Sequence, residues 1–199
     1  MTEAHDAVVL AAGGSRRLGR PKQSLTIDGE TLLARTSRLV AATRPQKLVV
    51  VLGAFADTLR LQVSGDLVVI NPHWASGMAS SLQRAADCLA GRKLPVLITV
   101  VDQPALGQAH LDALMAAYDG RRDVVTGYGD VRGVPAFVRA NTMQLARDLK
   151  GEQGFRHLWL VDEPLCVRAD ELGDDLDTED DIRQAVLSGR LDAANSPDQ

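Results

Sequence analysis

Apolar runs of strand length alternate with amphipathic segments of helix length along most of this 199-residue sequence. The strand-like runs are almost entirely apolar, and they occupy residues 7–10, 48–52, 67–70 and 96–101. Between them, apolar residues recur near helical spacing over residues 31–42, 54–63, 78–89 and 109–118. Strands that are apolar on both faces are typical of a parallel sheet that helices cover on both sides. The pattern therefore predicts a three-layer α/β/α fold with a mainly parallel sheet.

Residues 123–139 depart from this alternation. Two short β-rich runs, 124–126 and 136–138, enclose three glycines. Two strands joined by a glycine-bearing turn would give this pattern. We therefore expect a β-ribbon inserted after the parallel core, where it could form one wall of a pocket.

The last third of the sequence predicts two helices, over 142–149 and 154–161, and a strand over 165–168. A final helix is expected over 178–188, because Thr178 precedes a cluster of acids suited to a first helical turn. No linker or low-complexity block divides the chain. We therefore expect one domain over residues 1–190 and a C-terminal tail over residues 191–199.

Composition excludes several classes of protein. The net charge of −4 disfavours a general nucleic-acid binder. No apolar run approaches the roughly 18 residues of a membrane span, and the acidic first residues are unlike a secretory signal, so we expect a cytoplasmic protein that contacts no membrane. Cys88 and Cys166 lack metal-binding spacing and are expected to be reduced and buried.

Four cations lie within seven positions near the N-terminus: Arg16, Arg17, Arg20 and Lys22. The other 192 residues carry 18 Lys and Arg against 26 Asp and Glu. A concentrated positive segment on an acidic body suits a small polyanion better than a long nucleic acid. The alternative is an ordinary solvated basic loop.

A run that opens with leucine and continues with small residues comes directly before these cations, at the end of the first predicted strand: Leu10, Ala11, Ala12, Gly13, Gly14 and Ser15. In open α/β sheets, ligands bind beyond the carboxyl ends of the strands. Small residues let backbone N–H groups approach a phosphate closely. Neither GxxxxGK[ST] nor GxGxxG fits the run, so a hydride-transferring Rossmann enzyme is disfavoured.

Residues 10–22 fill every fixed position of L-A-A-G-x-S-x-R-x-G-x-x-K. This segment resembles the N-terminal signature of the MobA-like nucleotidyltransferases, which include the molybdenum cofactor cytidylyltransferases and guanylyltransferases. Residues 71–82 are similar to the family's N-x-x-W-x-x-G-M-x-x-S-L block, and 102–104 to its D-x-P element. Weaker similarity continues through 151–154 and 175–181. The resemblance implies a Rossmann-like nucleotidyltransferase domain.

The resemblance also implies the reaction. An L-A-A-G opening is usual in the cytidylyl branch, so the expected activity is transfer of CMP from CTP to the molybdopterin-bound molybdenum cofactor, with release of pyrophosphate. A molybdoenzyme of the xanthine dehydrogenase type would then receive the product. Val134 stands where the family commonly has histidine, which keeps another phosphorylated acceptor open. GTP as the nucleotide, and a non-catalytic cofactor carrier or chaperone as the function, stay open as well.

For the site residues, the resemblance implies that Arg17 and Lys22 contact the triphosphate and act with Asp102 in catalysis. Asp102 follows a buried strand and is the carboxylate expected to bind Mg²⁺, or Mn²⁺ in its place. Asp177 is the proposed second carboxylate, and spacing also allows Asp175. The expected nucleotide-binding residues are the small-residue run with Arg17 and Lys22, together with Gly77, Ser80 and Ser81. Arg16 and Arg20 fall at variable positions and are expected on the surface.

Overall fold

The structure is a computed structural model that describes residues 4–63 and 67–196. Its main sheet has seven strands, which are β1 (Asp6–Ala11), β4 (Leu48–Leu52), β5 (Leu67–Ile70), β6 (Val96–Val100), β7 (Val124–Tyr128), β8 (Val131–Val138) and β9 (Leu165–Arg168). A separate hairpin is formed by β2 (Thr26–Ile27) and β3 (Glu30–Thr31). The order across the main sheet is β5-β4-β1-β6-β8-β7-β9. Only the pairs that involve β8 are antiparallel among the main-sheet strands described.

The helices lie mainly between the strands in sequence. They are α1 (Leu32–Ala42), α2 (Ala56–Leu59), α3 (Met78–Cys88), α4 (Gln108–Ala117), α5 (Ala140–Leu145), α6 (Arg156–Trp159) and α7 (Glu179–Leu187). Thr178 caps α7 as expected: its side chain accepts from the backbone N–H of Asp181, and the Asp181 carboxylate accepts from the Thr178 N–H. This reciprocal arrangement fixes where α7 begins.

Helices cover the sheet on both faces, which confirms the predicted three layers. Successive residues of β1 point to opposite faces: Ala7 and Val9 join a cluster with α1 and α4, whereas Val8 and Leu10 join a cluster with α3. Every residue of β1 is buried. Truncating a fully buried leucine such as Leu33 to alanine in a core of this kind destabilises by about 2–5 kcal/mol.

The strand order creates a crevice at one edge of the sheet. Parallel strands flank β1 on both sides, β4 on one and β6 on the other. At such a reversal of strand order, the connections leave in opposite directions and open a space beyond the carboxyl ends. Leu10 lies opposite Val100 in the ladder, so the segments that follow β1 and β6 emerge side by side.

The two strands expected as an inserted ribbon are present as β7 and β8, but they extend the main sheet. Strand β8 pairs with β6 through Ala136, Phe137 and Val138, all of them fully buried. A run that is apolar on both faces needs cover on both faces, and the helices on the two sides of the main sheet provide it.

Some predicted boundaries shift. The segment 54–63 forms only the short α2 followed by a 3-10 turn, Arg60–Gln62. The helix expected over 142–149 begins at Ala140 and ends in the 3-10 turn Ala146–Asp148. Cys166 is exposed on the edge strand β9 and Cys88 is half-buried, so the expectation that both are buried was wrong.

Residues 191–196, expected as part of a tail, pack against the β2–β3 hairpin. Leu191 is buried, and the Asn195 amide donates to the Thr26 carbonyl while its oxygen accepts from the Thr26 N–H. The Asp192 carboxylate accepts from the N–H groups of Asp28 and Gly29. Short-range composition gave no sign of these long-range bonds. Residues 197–199 of the expected tail lie outside the described residues.

Within residues 4–63 and 67–196, no helix combines the length and apolar character needed to cross a bilayer.

Candidate active site

A cavity of about 370 Å³ lies beyond the carboxyl ends of β1 and β6. The segment 10–17 forms one side of it, so Leu10, the five small residues after it and Arg17, all expected to bind the nucleotide, line this space. Lys22, Gly77, Ser81, Asp102 and Asp177 line it as well. Among the residues that the structure describes, its walls come from segments other than 124–138, so the expected ribbon wall is not present here.

The small-residue turn is held by a side chain that the sequence analysis missed. Gln23 is buried, and its amide nitrogen donates to the carbonyls of Ala11 and Gly13 at 2.9 and 2.8 Å. The Ser15 hydroxyl accepts from the Lys22 N–H at 3.1 Å. These bonds hold the Ala11 and Gly13 carbonyls against Gln23 and join the turn to Lys22. Nothing in the local sequence distinguishes Gln23 from a surface glutamine.

Trp74 packs directly against this turn. A Cβ on Gly14 would lie 2.5 Å from an atom of the Trp74 ring, so only glycine fits there without movement. The Arg16 guanidinium stands 5.5 Å from the centre of the same ring, within cation–π range. Arg16 is exposed, as expected, and it also lines the cavity.

Lys22 joins the two carboxylates predicted to bind metal. Its ammonium nitrogen is 2.6 Å from Asp102 Oδ2 and 3.2 Å from Asp177 Oδ1. Arg17 donates to the other oxygen of Asp177. Thus Asp177 contacts the cationic residues, whereas Asp175 lies beside the same group of acids. Arg20 points elsewhere: it is half-buried and donates to Glu179 and to the Asn195 carbonyl.

Burial and neighbouring charges shift two pKa values at this site. Burial lowers the pKa of Lys22, but the neighbouring carboxylates of Asp102 and Asp177 raise it by more, so the net pKa is raised. The pKa of Asp175 is raised to about 6, first by burial and then by the negative charge of Asp102. Lys22 therefore favours the charged form of each nearby carboxylate, while the carboxylates disfavour the charged form of one another.

The donor set at this point fits a hard cation. Asp102 Oδ1 is buried and has no hydrogen-bond partner among the described residues, and a carboxylate oxygen is the ligand that divalent magnesium and manganese favour. No group of three or more His, Cys, Asp or Glu side chains is arranged to hold a metal in the described part of the chain. The protein could therefore supply two carboxylates, a number typical of sites where phosphates complete the coordination.

The start of α3 forms another side of the cavity. Gly77 has φ of +111°, and a Cβ there would lie 2.3 Å from the Gly151 carbonyl oxygen, so this turn also requires glycine. The Asn71 amide donates to the hydroxyls of both Ser80 and Ser81. Ser81 lines the cavity, whereas the Ser80 hydroxyl bonds the backbone carbonyls of the turn before α3.

Residues 7–164 match the sequence model of the MobA-like NTP transferase domain. The chain belongs to this family. The resemblance inferred from residues 10–22 is thereby confirmed, and MobA-like proteins of this kind are nucleotidyltransferases. The predicted fold and enzyme class are confirmed with it.

Proteins that are similar to this chain carry several different names. A nicotine blue oxidoreductase from Paenarthrobacter nicotinovorans is 33% identical over 86% of this chain and 91% of that protein. A probable molybdenum cofactor guanylyltransferase from Synechococcus elongatus is 56% identical over 36 residues, 18% of this chain and 19% of that protein. The crystal structure of Rv0371c from Mycobacterium tuberculosis in complex with manganese has a TM-score of 0.77 at 26% identity, covering 93% of this chain and 99% of the other.

Proposed function

We propose that this enzyme transfers CMP from CTP to the molybdopterin-bound molybdenum cofactor and releases pyrophosphate. The observation that carries the proposal is the meeting of Lys22 with Asp102 and Asp177 in the cavity bordered by the small-residue turn. The 71–82 block and the similarity to a molybdenum cofactor guanylyltransferase support this acceptor.

The turn and its cations bind the triphosphate in this proposal. Gly13 and Gly14 allow close approach of the backbone to phosphate oxygens. Arg17 grips those oxygens with its planar fork, and Lys22 acts as a compact point charge. Both cations already lie at the cavity, so little rearrangement is needed to turn them from carboxylate to phosphate.

Asp102 and Asp177 hold the divalent ion, Mg²⁺ or Mn²⁺. When bound, such an ion neutralises phosphate charge and favours departure of pyrophosphate. The manganese complex of Rv0371c supports a divalent metal in a related fold. Asp102 contributes the oxygen that is buried without a partner among the described residues.

The chemistry needs alignment and charge neutralisation. A phosphate oxygen of the acceptor attacks the α-phosphorus of CTP, a new P–O bond forms, and the bond to the β-phosphate oxygen breaks to release pyrophosphate. Both reactants are anionic, so the residues contribute most by positioning them and by neutralising charge. No protein nucleophile is required.

The L-A-A-G opening supports CTP as the nucleotide. A panel of CTP, GTP, ATP and UTP with the molybdopterin acceptor, followed by pyrophosphate release, tests this choice. We expect CTP to be preferred; a preference for GTP would reject the base assignment and retain the reaction class.

Pyrophosphate release also distinguishes an enzyme from a cofactor carrier or chaperone, which would bind the nucleotide without releasing pyrophosphate in a single turnover. Release with a sugar or polyol phosphate in place of molybdopterin would reject the acceptor. Product transfer to an apo-molybdoenzyme of the xanthine dehydrogenase type, measured by the activity it regains, tests the proposed recipient.

A further inference from the structure

Gln103 follows Asp102 directly and is 4% exposed. Its amide nitrogen donates to two backbone carbonyls, those of Val134 and Leu172, at 3.0 Å each. Its amide oxygen is buried without a hydrogen-bond partner among the described residues. One side chain next to a proposed metal ligand thus bonds two distant segments.

Each of these two segments lies next to a part of the chain that reaches the active site. Val134 lies on β8, beside β6, the strand that leads to Asp102. Leu172 lies in the 3-10 turn Asp170–Gly173, which precedes Asp177 by a few residues. The Gln103 amide therefore connects the end of β6 with the segment that carries the second carboxylate.

Few side chains could make this connection. The amide group offers two N–H donors from one nitrogen, and the two carbonyls use both of them. Methionine has a similar length and shape but offers no donor. Because an unpartnered buried oxygen is itself destabilising, simple filling of the space would favour an apolar residue at this position.

We propose that Gln103 is a positioning residue that sets the separation of Asp102 and Asp177 for metal binding. The inference rests on the proposed function, in which those two carboxylates hold the metal. Gln103 acts through its neighbours: it ties the residue after Asp102 to β8 and to the 3-10 turn that precedes Asp177.

Gln83 provides a matched control. Its amide nitrogen also donates to two backbone carbonyls, those of Leu149 at 2.8 Å and Arg147 at 3.3 Å. These bonds join α3 to the segment after α5, on the face of the sheet that α3 covers. Gln83→Met removes a similar but less buried amide bridge that lies away from the carboxylates.

The test measures Mn²⁺ affinity by titration calorimetry in the absence of nucleotide, and CTP affinity in the presence of EDTA. We expect Gln103→Met to weaken Mn²⁺ binding roughly 10-fold, as is typical when groups that orient metal ligands are lost. CTP affinity without metal should stay within about twofold of wild type, since the turn is unchanged. Gln83→Met should leave both affinities unchanged, although both variants lower the melting temperature.

A shorter amide gives a second test if Gln103→Met fails to fold. Gln103→Asn keeps the donors but is one methylene shorter, so it cannot reach both carbonyls, and Mn²⁺ affinity should fall by a smaller factor. Mn²⁺ binding within about twofold of wild type in every folded Gln103 variant, alongside a clear loss in Asp177→Asn, would overturn the positioning role alone. Unchanged Mn²⁺ binding in both Asp102→Asn and Asp177→Asn would overturn the metal site and the inference with it.

Discussion

The ammonium group of Lys22 lies 2.6 Å from Asp102 Oδ2, although the two residues are 80 positions apart. The pair is largely shielded from solvent, with 14% and 21% of the two side chains exposed. A cation suited to phosphate therefore rests against a carboxylate suited to metal. The two side chains neutralise each other at this site. On binding of the proposed substrates, Lys22 would contact phosphate and Asp102 would contact the metal ion.

Asp102→Asn should reduce turnover about 10²–10³-fold, because the amide keeps the shape but removes the charge that holds the metal. Pyrophosphate release measures the loss, and circular dichroism checks the fold. Asp112→Asn, at an exposed position of α4, is the control and should keep full activity. Near-normal turnover in Asp102→Asn would remove the metal role.

Lys22→Met should weaken CTP binding. A charge-assisted hydrogen bond contributes about 1.5–3 kcal/mol, so its loss corresponds to roughly 10–100-fold in affinity. Titration calorimetry with CTP and Mg²⁺ gives the dissociation constant. Lys93→Met, which changes an exposed lysine, should bind as wild type does; equal affinities for the two variants would contradict the phosphate contact.

Gly14→Ala should displace Trp74, because the added methyl would lie 2.5 Å from its ring. Overpacking of this kind destabilises by about 1–3 kcal/mol. We expect a lower melting temperature and a shift in tryptophan emission from the ligand-free protein. At the neighbouring Gly13 a Cβ meets nothing within 4 Å, so Gly13→Ala should change neither the melting temperature nor the tryptophan emission. Identical behaviour of the two variants would contradict the packing argument.

His110 should make the fold sensitive to mild acid. Burial lowers its pKa, an effect that Glu171 only partly opposes, so the unfolded chain takes up this proton at a higher pH than the folded chain does. Its contribution to stability is therefore full above its ordinary pKa of 6.5 and is lost as the pH falls through the lowered folded-state value. Thermal unfolding between about pH 5 and pH 8, a range spanning the ordinary pKa of histidine, measures this loss.

His110→Gln should flatten that pH dependence. The exposed His157 offers a control, since His157→Gln should leave the dependence as in wild type. The same acid-induced loss in His110→Gln and wild type would show that another group is responsible.

Local patterns in the sequence were enough to predict the layers and much of the cavity. Residues 7–10 and 96–101 are apolar on both faces because helices cover both faces, and such apolar runs can be recognised in the sequence. Lys22 and Asp102 could be found because the motifs around them resemble those of the MobA-like family, and Asp102 also follows a buried strand. For the second carboxylate the sequence left Asp177 and Asp175 open, and it gave no sign that Asp177 contacts Lys22.

Several features depend on contacts that have no local signal. Gln23 bonds carbonyls of the turn that precedes it and Gln103 bonds carbonyls of distant segments, and the sequence neighbours of these two amides do not reveal the partners. The exclusion of any side chain at Gly14 arises from the close approach of the Trp74 ring, which comes from a distant part of the sequence. Leu191 and Asn195 are buried at the β2–β3 hairpin, which comes from the opposite end of the sequence.

Arg20 connects the C-terminal residues to the cation-rich segment 16–22, since it donates to Glu179 on α7 and to the Asn195 carbonyl. Two residues farther along, Lys22 enters the cavity. A deletion after residue 190 would therefore remove the hydrogen bond from Arg20 to the Asn195 carbonyl. Segment 16–22, where substrate phosphates are expected to bind, would then be held less firmly. Truncated versions of this protein should therefore keep residues 191–196, because these residues support the active site.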